Sequence, residues 1–381
     1  RTKTVRDYGD ANMSMIIKQR VDDLLDRCAH EVDVGHILGG QVAVAFEGEL
    51  IVNEALGDVA LDQRMHTYSA VKPTVSLTVL ELAAEGQLSL DSPVAAVLPS
   101  FAANGKAEIT LSQVLLHAGG FPHAPMPPGF WNDRAARLER YSTWRTTWEP
   151  GTAFEYHASS AHWVLADMIT EVTGRHHADV VTERIMEPAG ASRWLAIPVG
   201  QQADVANVEA IGTSPDPAVF RNKFGFDMPV TEVTNEALVA FNDPAIRAVG
   251  QPGGGGIASA ASVALWYQAI MHDEGEILRP EVKADALTFV RQDHTDWLGV
   301  PANRTYAFTL GGEQSGRAAR GLGHTVSAAA FGHNGASGQR ICADPQSGLS
   351  VAIMTRGLDL DDMVYNHWGT ALSSKAGLLT T

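Results

Sequence analysis

A serine and a lysine three residues apart form the pair with the clearest chemical potential in this chain. Ser69 and Lys72 stand at the start of a long apolar run, and no other lysine follows a serine at this distance. On a helix, residues i and i+3 share a face, so the hydroxyl and the amine would point the same way. A serine hydroxyl is a weak nucleophile until a neighbouring base removes its proton. The pair therefore predicts nucleophilic catalysis, although a match of four residues is a weak signal by itself.

Four further segments strengthen this prediction. They read LLHAGGFP at 115–122, WEPGTAFEY at 148–156, PGGGGIAS at 252–259 and FGHNGASG at 331–338. Together with the serine and lysine, they resemble the landmarks of the serine β-lactamase-like superfamily, and they occur in the order of that family. The branch that is most similar contains the class C β-lactamases, the D-alanyl-D-alanine carboxypeptidases and the family VIII carboxylesterases. The family carries S-x-x-K, then a tyrosine element, then K-T-G or H-x-G.

The resemblance implies a role for each residue that matches a motif. Ser69 would attack a carbonyl carbon and form an acyl-enzyme, while Lys72 and Tyr156 would share the task of general base. Tyr156 would relay the proton to the leaving group. The backbone N–H groups of Ser69 and Ala336 would form the oxyanion hole. Which of Lys72 and Tyr156 carries the proton in the resting enzyme stays open at this point.

Departures from the family pattern bear on the substrate. Ala158 stands where the family has an asparagine that contacts a substrate amide, and His333 and Asn334 replace the lysine and threonine of K-T-G. Without such partners, a site selects less strongly for substrates that carry an amide or a carboxylate. A simple ester needs little beyond an apolar slot. The resemblance therefore predicts a carboxylesterase. The residues expected to bind substrate are His333, Asn334, Gly335, Trp148 and His157.

Three other functions fit part of the pattern. An amide hydrolase of the β-lactamase or D-peptidase type would use the same catalytic residues. An acyltransferase would use them too, and would pass the acyl group to an alcohol or amine other than water. A non-catalytic binding protein on the same scaffold is disfavoured, because Ser69, Lys72 and Tyr156 are all present. The chain has no G-x-S-x-G, the main alternative signature of a serine hydrolase.

The segments that must position these residues show both helical and strand patterns. Apolar residues at helical spacing predict five helices, over 12–30, 69–85, 161–172, 260–272 and 361–375. Runs of strand-type residues predict four strands, at 41–46, 50–55, 328–333 and 349–355. The first two strands flank Glu47-Gly48-Glu49, which predicts a β-hairpin, and a turn is expected at 344–348.

Strands at both ends of the chain, with helices between them, predict an α+β fold. We expect an antiparallel sheet built from the N- and C-terminal segments and flanked by helices, with a mainly α-helical inserted region. This is the β-lactamase/transpeptidase-like arrangement that the resemblance implies. The expected division places 1–66 and 300–381 in the sheet domain and 67–299 in the helical domain, with the active site at their interface.

Composition limits the possible partners. The net charge of −16 disfavours nucleic acid, because such a surface repels phosphate. No apolar run approaches the roughly 20 residues of a membrane-spanning helix. Two distant cysteines do not indicate a disulfide framework, and the absence of H-E-x-x-H and of paired cysteines leads us to expect no metal and no cofactor. We expect a small-molecule ester or amide as partner and a cytoplasmic location, and the oligomeric state stays open.

Overall fold

The computed structural model describes residues 16–214, 216–227 and 233–380. Within these ranges, no helix combines the length and the apolar character needed to cross a membrane. The strands are β1 (Gly39–Phe46), β2 (Glu49–Gly57), β3 (Met65–His66), β4 (Glu209–Ile211), β5 (Ile257–Ala258), β6 (Thr309–Leu310), β7 (Phe331–Gly332), β8 (Arg340–Asp344), β9 (Leu349–Thr355) and β10 (Gly357–Asp359). The α-helices are α1 (Lys18–Asp33), α2 (Lys72–Ala84), α3 (Leu111–Leu115), α4 (Arg134–Tyr141), α5 (Ser160–Thr173), α6 (His177–Val181), α7 (Pro217–Phe224), α8 (Asn235–Val239), α9 (Pro244–Val249), α10 (Ala260–His272), α11 (Pro280–Leu287), α12 (Gln314–Ala319) and α13 (Asp362–Ala376).

Both ends of the chain contribute to one six-stranded antiparallel sheet, in the order β2-β1-β9-β8-β7-β6. β1 pairs with β2 on one side and with β9, from near the C-terminus, on the other. A two-residue turn joins β1 to β2, and its residues Glu47 and Gly48 have φ angles of 49° and 80°. Turns with two positive φ angles match the twist of a hairpin. The predicted α+β class, the antiparallel sheet and the hairpin are therefore confirmed.

Alternate residues of β1 face two different helical layers, as the period of two in a strand requires. Val42 and Val44 pack with α1 and α13 in one apolar cluster. Ala43 and Ala45 point the other way and join a larger cluster that includes α10. The small side chains let α10 lie close to the strand, where Gln268 donates to the carbonyl oxygen of Ala45 at 2.9 Å. Helices therefore cover both faces of the sheet.

Some elements differ from their predictions. α10 lies in the region expected to form the helical domain, but it packs on the sheet. The strand predicted over 328–333 shortens to β7, because the segment before it forms a turn: Ser327 donates its N–H to the Asp344 carboxylate at 2.8 Å and accepts one from Ala330 at 3.3 Å. The pattern did not predict β8, whose two ends are charged although buried. The first helix begins at Lys18, and the predicted residues 12–15 lie outside the described part.

Helix α2 is the element that positions the start of the candidate site. Its residues from Lys72 to Leu82 are all buried, the polar ones included, which is the pattern of a helix packed on every side. Pro73 lies in its first turn, where the missing N–H has no intrahelical partner to lose. A helix that is enclosed on all sides keeps its first residues in fixed positions, so its N-terminal end can hold a nucleophile rigidly.

Candidate active site

Ser69 lies in a short 3₁₀ turn that leads directly into α2. The residue before it, Tyr68, has a φ of 47°, in the left-handed region that costs a non-glycine residue about 1–3 kcal/mol. Two hydrogen bonds fix the turn. Thr67 donates its N–H to the Gly256 carbonyl oxygen at 2.9 Å, and the Tyr68 hydroxyl donates to that of Leu238 at 3.1 Å. The surrounding structure thus holds a strained residue in place and presents Ser69 just before the N-terminal end of α2.

Lys72 is buried one turn further along, and its Nζ lies 3.0 Å from Ser69 Oγ. The same nitrogen donates to the carbonyl oxygen of Gly253. A Cβ at position 253 would lie 3.3 Å from this nitrogen and 3.2 Å from the carbonyl oxygen of Ala158. Both contacts are tighter than is usual for a side chain, so glycine at this position gives the lysine room beside the serine.

Tyr156 packs against Lys72 and borders the same cavity as Ser69. Lys72 Nζ lies 5.2 Å from the centre of its ring, and the guanidinium carbon of Arg304 lies 5.7 Å from it. The ring of His117 packs against it, with centroids 4.7 Å apart. The Tyr156 hydroxyl is buried and has no hydrogen-bond partner among the described residues. An unpaired buried hydroxyl costs stability. Because this one has no partner in the described part of the protein, it can still donate and accept hydrogen bonds with a group that enters the site.

The segment after β7 lies against the turn that carries the serine. A Cβ at Gly335 would overlap with the carbonyl oxygen of Thr67, so only glycine permits this approach. Gln339 holds the two segments together, because its side-chain nitrogen donates to the carbonyl oxygen of His66 at 3.0 Å. The arrangement brings Ala336 to the wall of the same cavity as the serine.

Ser69, Tyr156 and Ala336 border a cavity of about 440 Å³, here called the main cavity. Its volume falls in the usual range for small-molecule sites. It lies between the start of α2 and the end of β7. Residues from both sides of it are Ser69, Tyr156, Ala158, His333, Asn334, Gly335 and Ala336.

Burial shapes the electrostatics of the main cavity. Burial, together with the nearby Arg304 and Lys72, holds the pKa of His333 well below its usual value, so its ring is neutral at pH 7. Its Nδ1 lies 2.9 Å from the carbonyl oxygen of Asn334 and therefore donates, which leaves the buried, unpartnered Nε2 as an acceptor. Burial also lowers the pKa of Arg304, whose guanidinium donates to Thr309 Oγ1 at 2.8 Å. The cavity thus offers a neutral imidazole acceptor and a buried guanidinium.

Two residues predicted to bind substrate lie outside the main cavity. His157 is fully buried, and its Nε2 accepts the N–H of Phe121 at 3.1 Å while its Nδ1 donates to the Glu155 carbonyl oxygen at 2.6 Å. Both ring nitrogens are therefore used inside the protein. Trp148 packs edge-on against this histidine, with ring centroids 6.2 Å apart. His157 therefore has no ring nitrogen left for a polar contact with substrate, and Trp148 is not among the residues that border the main cavity.

Asn334 borders the main cavity, but its side chain is already engaged. Its Nδ2 donates to the carbonyl oxygen of Gly321 at 3.0 Å, and its Oδ1 accepts the N–H of Ile341 at 3.1 Å. The residue therefore shapes the strand end on which His333 and Gly335 stand. Its second N–H donates to the carbonyl oxygen of Arg320 at 3.4 Å, so the amide has no free donor for substrate, while Oδ1 keeps one lone pair.

Sequence reasoning missed Arg304 and Gln339. Arg304 lies beneath the catalytic tyrosine candidate, and Gln339 joins the end of β7 to the segment before the serine. Neither belongs to a motif, and nothing in the residues around them indicates that they are buried. Only the packing of distant segments brings them to the site.

The chain is similar to several known proteins. A family model described as Beta-lactamase matches residues 17–374. Esterase EstB of Burkholderia gladioli is 25% identical over 303 residues, which cover 70% of this chain and 73% of that protein. Penicillin-binding protein 4 of Amycolatopsis lactamdurans is 25% identical over 198 residues, 48% of this chain, and the match spans only about half (52%) of that relative. D-aminopeptidases of Brucella anthropi and Brucella ovis are also similar.

Solved structures show the same architecture. A family VIII carboxylesterase superposes with a TM-score of 0.74 at 23% sequence identity, and the match covers 94% of this chain and 98% of that one. A likeness at this level of identity shows the fold alone. The chemistry of this chain must therefore be argued from its own residues.

Proposed function

The chain belongs to the Beta-lactamase family, and from this premise we propose that it hydrolyses carboxylic esters through a covalent acyl-enzyme on Ser69. The observation that carries the proposal is the 3.0 Å contact between Lys72 Nζ and Ser69 Oγ, beside the unpaired hydroxyl of Tyr156. A hydroxyl within hydrogen-bonding distance of an amine has the geometry of an activated nucleophile. The main cavity in front of it has room for a small ester.

Acylation transfers one proton, forms a bond between Ser69 Oγ and the carbonyl carbon, and breaks the bond between that carbon and the ester oxygen. As Ser69 Oγ attacks the carbonyl carbon, its proton passes to the pair formed by Lys72 and Tyr156. Tyr156 then relays a proton to the ester oxygen, which leaves as an alcohol. Water repeats the sequence on the acyl-enzyme and releases a carboxylic acid and the free serine. Lys72 and Tyr156 act as one proton-transfer unit in this scheme, whichever of them holds the proton at rest.

The negative charge that develops on the carbonyl oxygen needs two donors. The backbone N–H groups of Ser69 and Ala336 would supply them, since both residues border the main cavity from opposite sides. The close approach of Gly335 to Thr67 sets their separation, because a larger residue at 335 would push the strand away from the turn. This part of the proposal links the glycine of the H-x-G-like element directly to catalysis.

We place the site at the interface between a sheet domain, 1–66 and 300–381, and a helical domain, 67–299. Ser69, Lys72 and Tyr156 come from the second region, while Gly335 and Ala336 come from the first. The packing of α10 on β1 supports one change to this division, in which 260–272 is grouped with the sheet.

The polar groups near the serine favour an ester over an amide. Ala158 offers only a methyl group to the cavity, and the side chain of Asn334 is bound to backbone. An amide substrate would depend on His333 Nε2 to accept its N–H, and an N–H left unpaired would cost about 1–3 kcal/mol. An ester has no N–H to satisfy, so it loses nothing in such a site.

An amide hydrolase is the second candidate. D-aminopeptidases are among the relatives, and Arg304 brings a cation to the main cavity where a substrate carboxylate can bind. Both candidates share the acyl-enzyme on Ser69 and differ in the bond that is broken.

Relative rates distinguish the two candidates. We expect kcat/KM for p-nitrophenyl butyrate to exceed that for a cephalosporin, and for D-alanine p-nitroanilide, by about 10² or more, since two missing polar contacts at ~1.4 kcal/mol each give that factor. Ser69→Ala, purified in parallel, controls for contaminating esterases. Comparable efficiency on the cephalosporin or the anilide would make the protein an amide hydrolase instead.

A further inference from the structure

A second cavity, here called the side pocket, adjoins the main cavity. Its volume is about 320 Å³, and Met126, Trp131 and Phe241 give it a mostly apolar wall. Val233 and Leu238 border both cavities. An ester bound at the serine therefore has an apolar space directly beside it.

Two separate chain segments link the walls of the two cavities. On one side, Tyr68, the residue before the serine, donates its hydroxyl to the carbonyl oxygen of Leu238 at 3.1 Å. Its ring packs edge-on against Phe241 of the side pocket, with centroids 5.9 Å apart. On the other side, Ala158 borders the main cavity and its neighbour Ser159 borders the side pocket. The side pocket is thus built on the residues that adjoin the nucleophile and the tyrosine segment.

Gln251 borders the side pocket and has a buried polar atom without a partner among the described residues. Gln251 is 4% exposed, and its Nε2 donates to Ser159 Oγ at 3.1 Å. Its Oε1 is buried and accepts no hydrogen bond from any described residue. The backbone here is fixed, because the carbonyl oxygen of Gln251 accepts the N–H of Gly255 at 2.8 Å. An unpaired carbonyl oxygen in an apolar pocket is costly unless a ligand supplies the donor.

We propose that the side pocket holds the acyl chain of the ester, and that Gln251 Oε1 accepts a hydrogen bond from a hydroxyl or N–H group on that chain. The inference rests on the proposed ester hydrolysis at Ser69. The acyl part is assigned to the side pocket because Tyr156, which protonates the leaving alcohol, borders the main cavity and not the side pocket. The substrate class is therefore an ester of a medium-length acyl chain that carries a hydrogen-bond donor.

Filling the side pocket tests its use. Ala237 borders it from the exposed side of α8, so Ala237→Phe adds volume there without a change in the core. We expect the ratio of kcat/KM for p-nitrophenyl hexanoate to that for p-nitrophenyl acetate to fall by about tenfold or more, because each buried methylene group favours binding roughly fourfold. The matched control is Ala135→Phe on the exposed face of α4, which should leave this ratio at the wild-type value.

Two results would overturn the assignment of the acyl chain. One is a hexanoate-to-acetate ratio in Ala237→Phe that equals the ratio in Ala135→Phe. The other is a loss that follows the length of the alcohol, measured with hexyl acetate against methyl acetate, since the side pocket would then hold the leaving group.

The donor on the chain is tested with p-nitrophenyl hexanoates that carry a hydroxyl at each of positions 3 to 6. Relative to plain hexanoate, we expect one of these esters to be favoured by about fivefold or more in the wild type, and the preference to disappear in Gln251→Leu. Equal preferences in the two proteins for every ester would remove the role of Gln251.

Alkyl p-nitrophenyl phosphonates separate a failure of this inference from a failure of the proposed function. They modify a reactive serine without ester turnover, so the relative inactivation rates of a hexyl- and a methylphosphonate report chain binding directly. These relative rates should change in Ala237→Phe and not in Ala135→Phe. If Ser69 reacts but Ala237→Phe does not change the relative rates, the side pocket is wrong; if Ser69 does not react, the proposed nucleophile is wrong and both proposals fall.

Discussion

Two clusters of buried polar side chains in this molecule differ in how completely their hydrogen bonds are satisfied. In the first, the buried Asp167 accepts from Arg137 Nε at 3.1 Å and Nη2 at 2.7 Å, and from the Tyr141 hydroxyl at 2.6 Å. Burial and the charge of Asp167 hold the pKa of Tyr141 well above its usual value, so the phenol keeps its proton and donates. Each of these three side chains has a partner of the opposite kind, and Arg134 places a second guanidinium beside the carboxylate, with its Nε 3.4 Å from Asp167 Oδ1.

The second cluster surrounds Ser69 and is incomplete. The Tyr156 hydroxyl, His333 Nε2 and Arg304 Nε are buried and have no hydrogen-bond partner in the described structure. Such atoms cost about 1–3 kcal/mol each, whereas a complete network stabilises the fold. We infer from the difference that the first cluster contributes to stability, while the second keeps bonding capacity for a substrate.

The largest effect should come from the nucleophile. Ser69→Ala is expected to lower hydrolysis of p-nitrophenyl butyrate by about 10⁴-fold or more and to leave the melting temperature within about 2 °C, because the buried helix is unchanged. Ser76→Ala, two turns further along in α2, is the matched control and should keep activity within about threefold. A Ser69→Ala enzyme that retained a tenth of the activity would remove the serine from the mechanism.

Replacing one buried arginine in each cluster tests the comparison through the free energy of unfolding. Arg137→Met leaves the Asp167 carboxylate without its main partner, so we expect a loss of about 3–5 kcal/mol in the free energy of unfolding. Arg304→Met removes a cation that forms no ion pair among the described residues, so the change should be less than about 1 kcal/mol. Urea denaturation measures both. Equal losses would mean that the two clusters do not differ in the way we infer.

The next effect tests whether the second cluster works as one unit. Lys72→Ala and Tyr156→Phe should each lower kcat by about 10² or more, and the double variant should lose little beyond the larger single loss. Steady-state kinetics of the four proteins gives the coupling. Losses that multiply would show two independent groups in place of a shared base.

The smallest effect concerns acid stability and a fully paired histidine. Burial lowers the pKa of His157 from 6.5 to about 3, so between these values the unfolded state binds a proton that the folded state does not. Stability is therefore lost as the pH falls through this window and is regained above it. His157→Gln should reduce the slope of the unfolding free energy by up to about 1.4 kcal/mol per pH unit there. The exposed His272→Gln is the control, and an unchanged slope in His157→Gln would contradict a neutral, buried ring.

Local spacing made much of this molecule predictable. Ser69 and Lys72 are neighbours on one turn, so their relation depends on four residues alone, and the structure does place them 3.0 Å apart. The helix predicted over 260–272 and the strand over 349–355 match α10 and β9 residue for residue. Each has a complete apolar pattern and clear flanking signals, which is the condition under which periodicity predicts an element well.

Contacts between distant segments could not be predicted in the same way. Gln339 binds the backbone of a residue 273 positions away, and Arg304 reaches Tyr156 from a segment without a motif. His157 follows the predicted tyrosine, yet its ring turns inward to the Phe121 backbone. The direction that a polar residue takes depends on which donors and acceptors the packed core leaves unsatisfied, and that is a property of the whole fold.

Covalent labelling of the serine is the most direct test of the central claim. The protein is incubated with a fluorophosphonate, digested, and mapped by mass spectrometry. We expect one modification, on the peptide that contains Ser69, none in Ser69→Ala, and markedly slower labelling in Lys72→Ala because the hydroxyl has lost its base. Labelling of a different serine, or no labelling of the wild-type protein, would contradict the account.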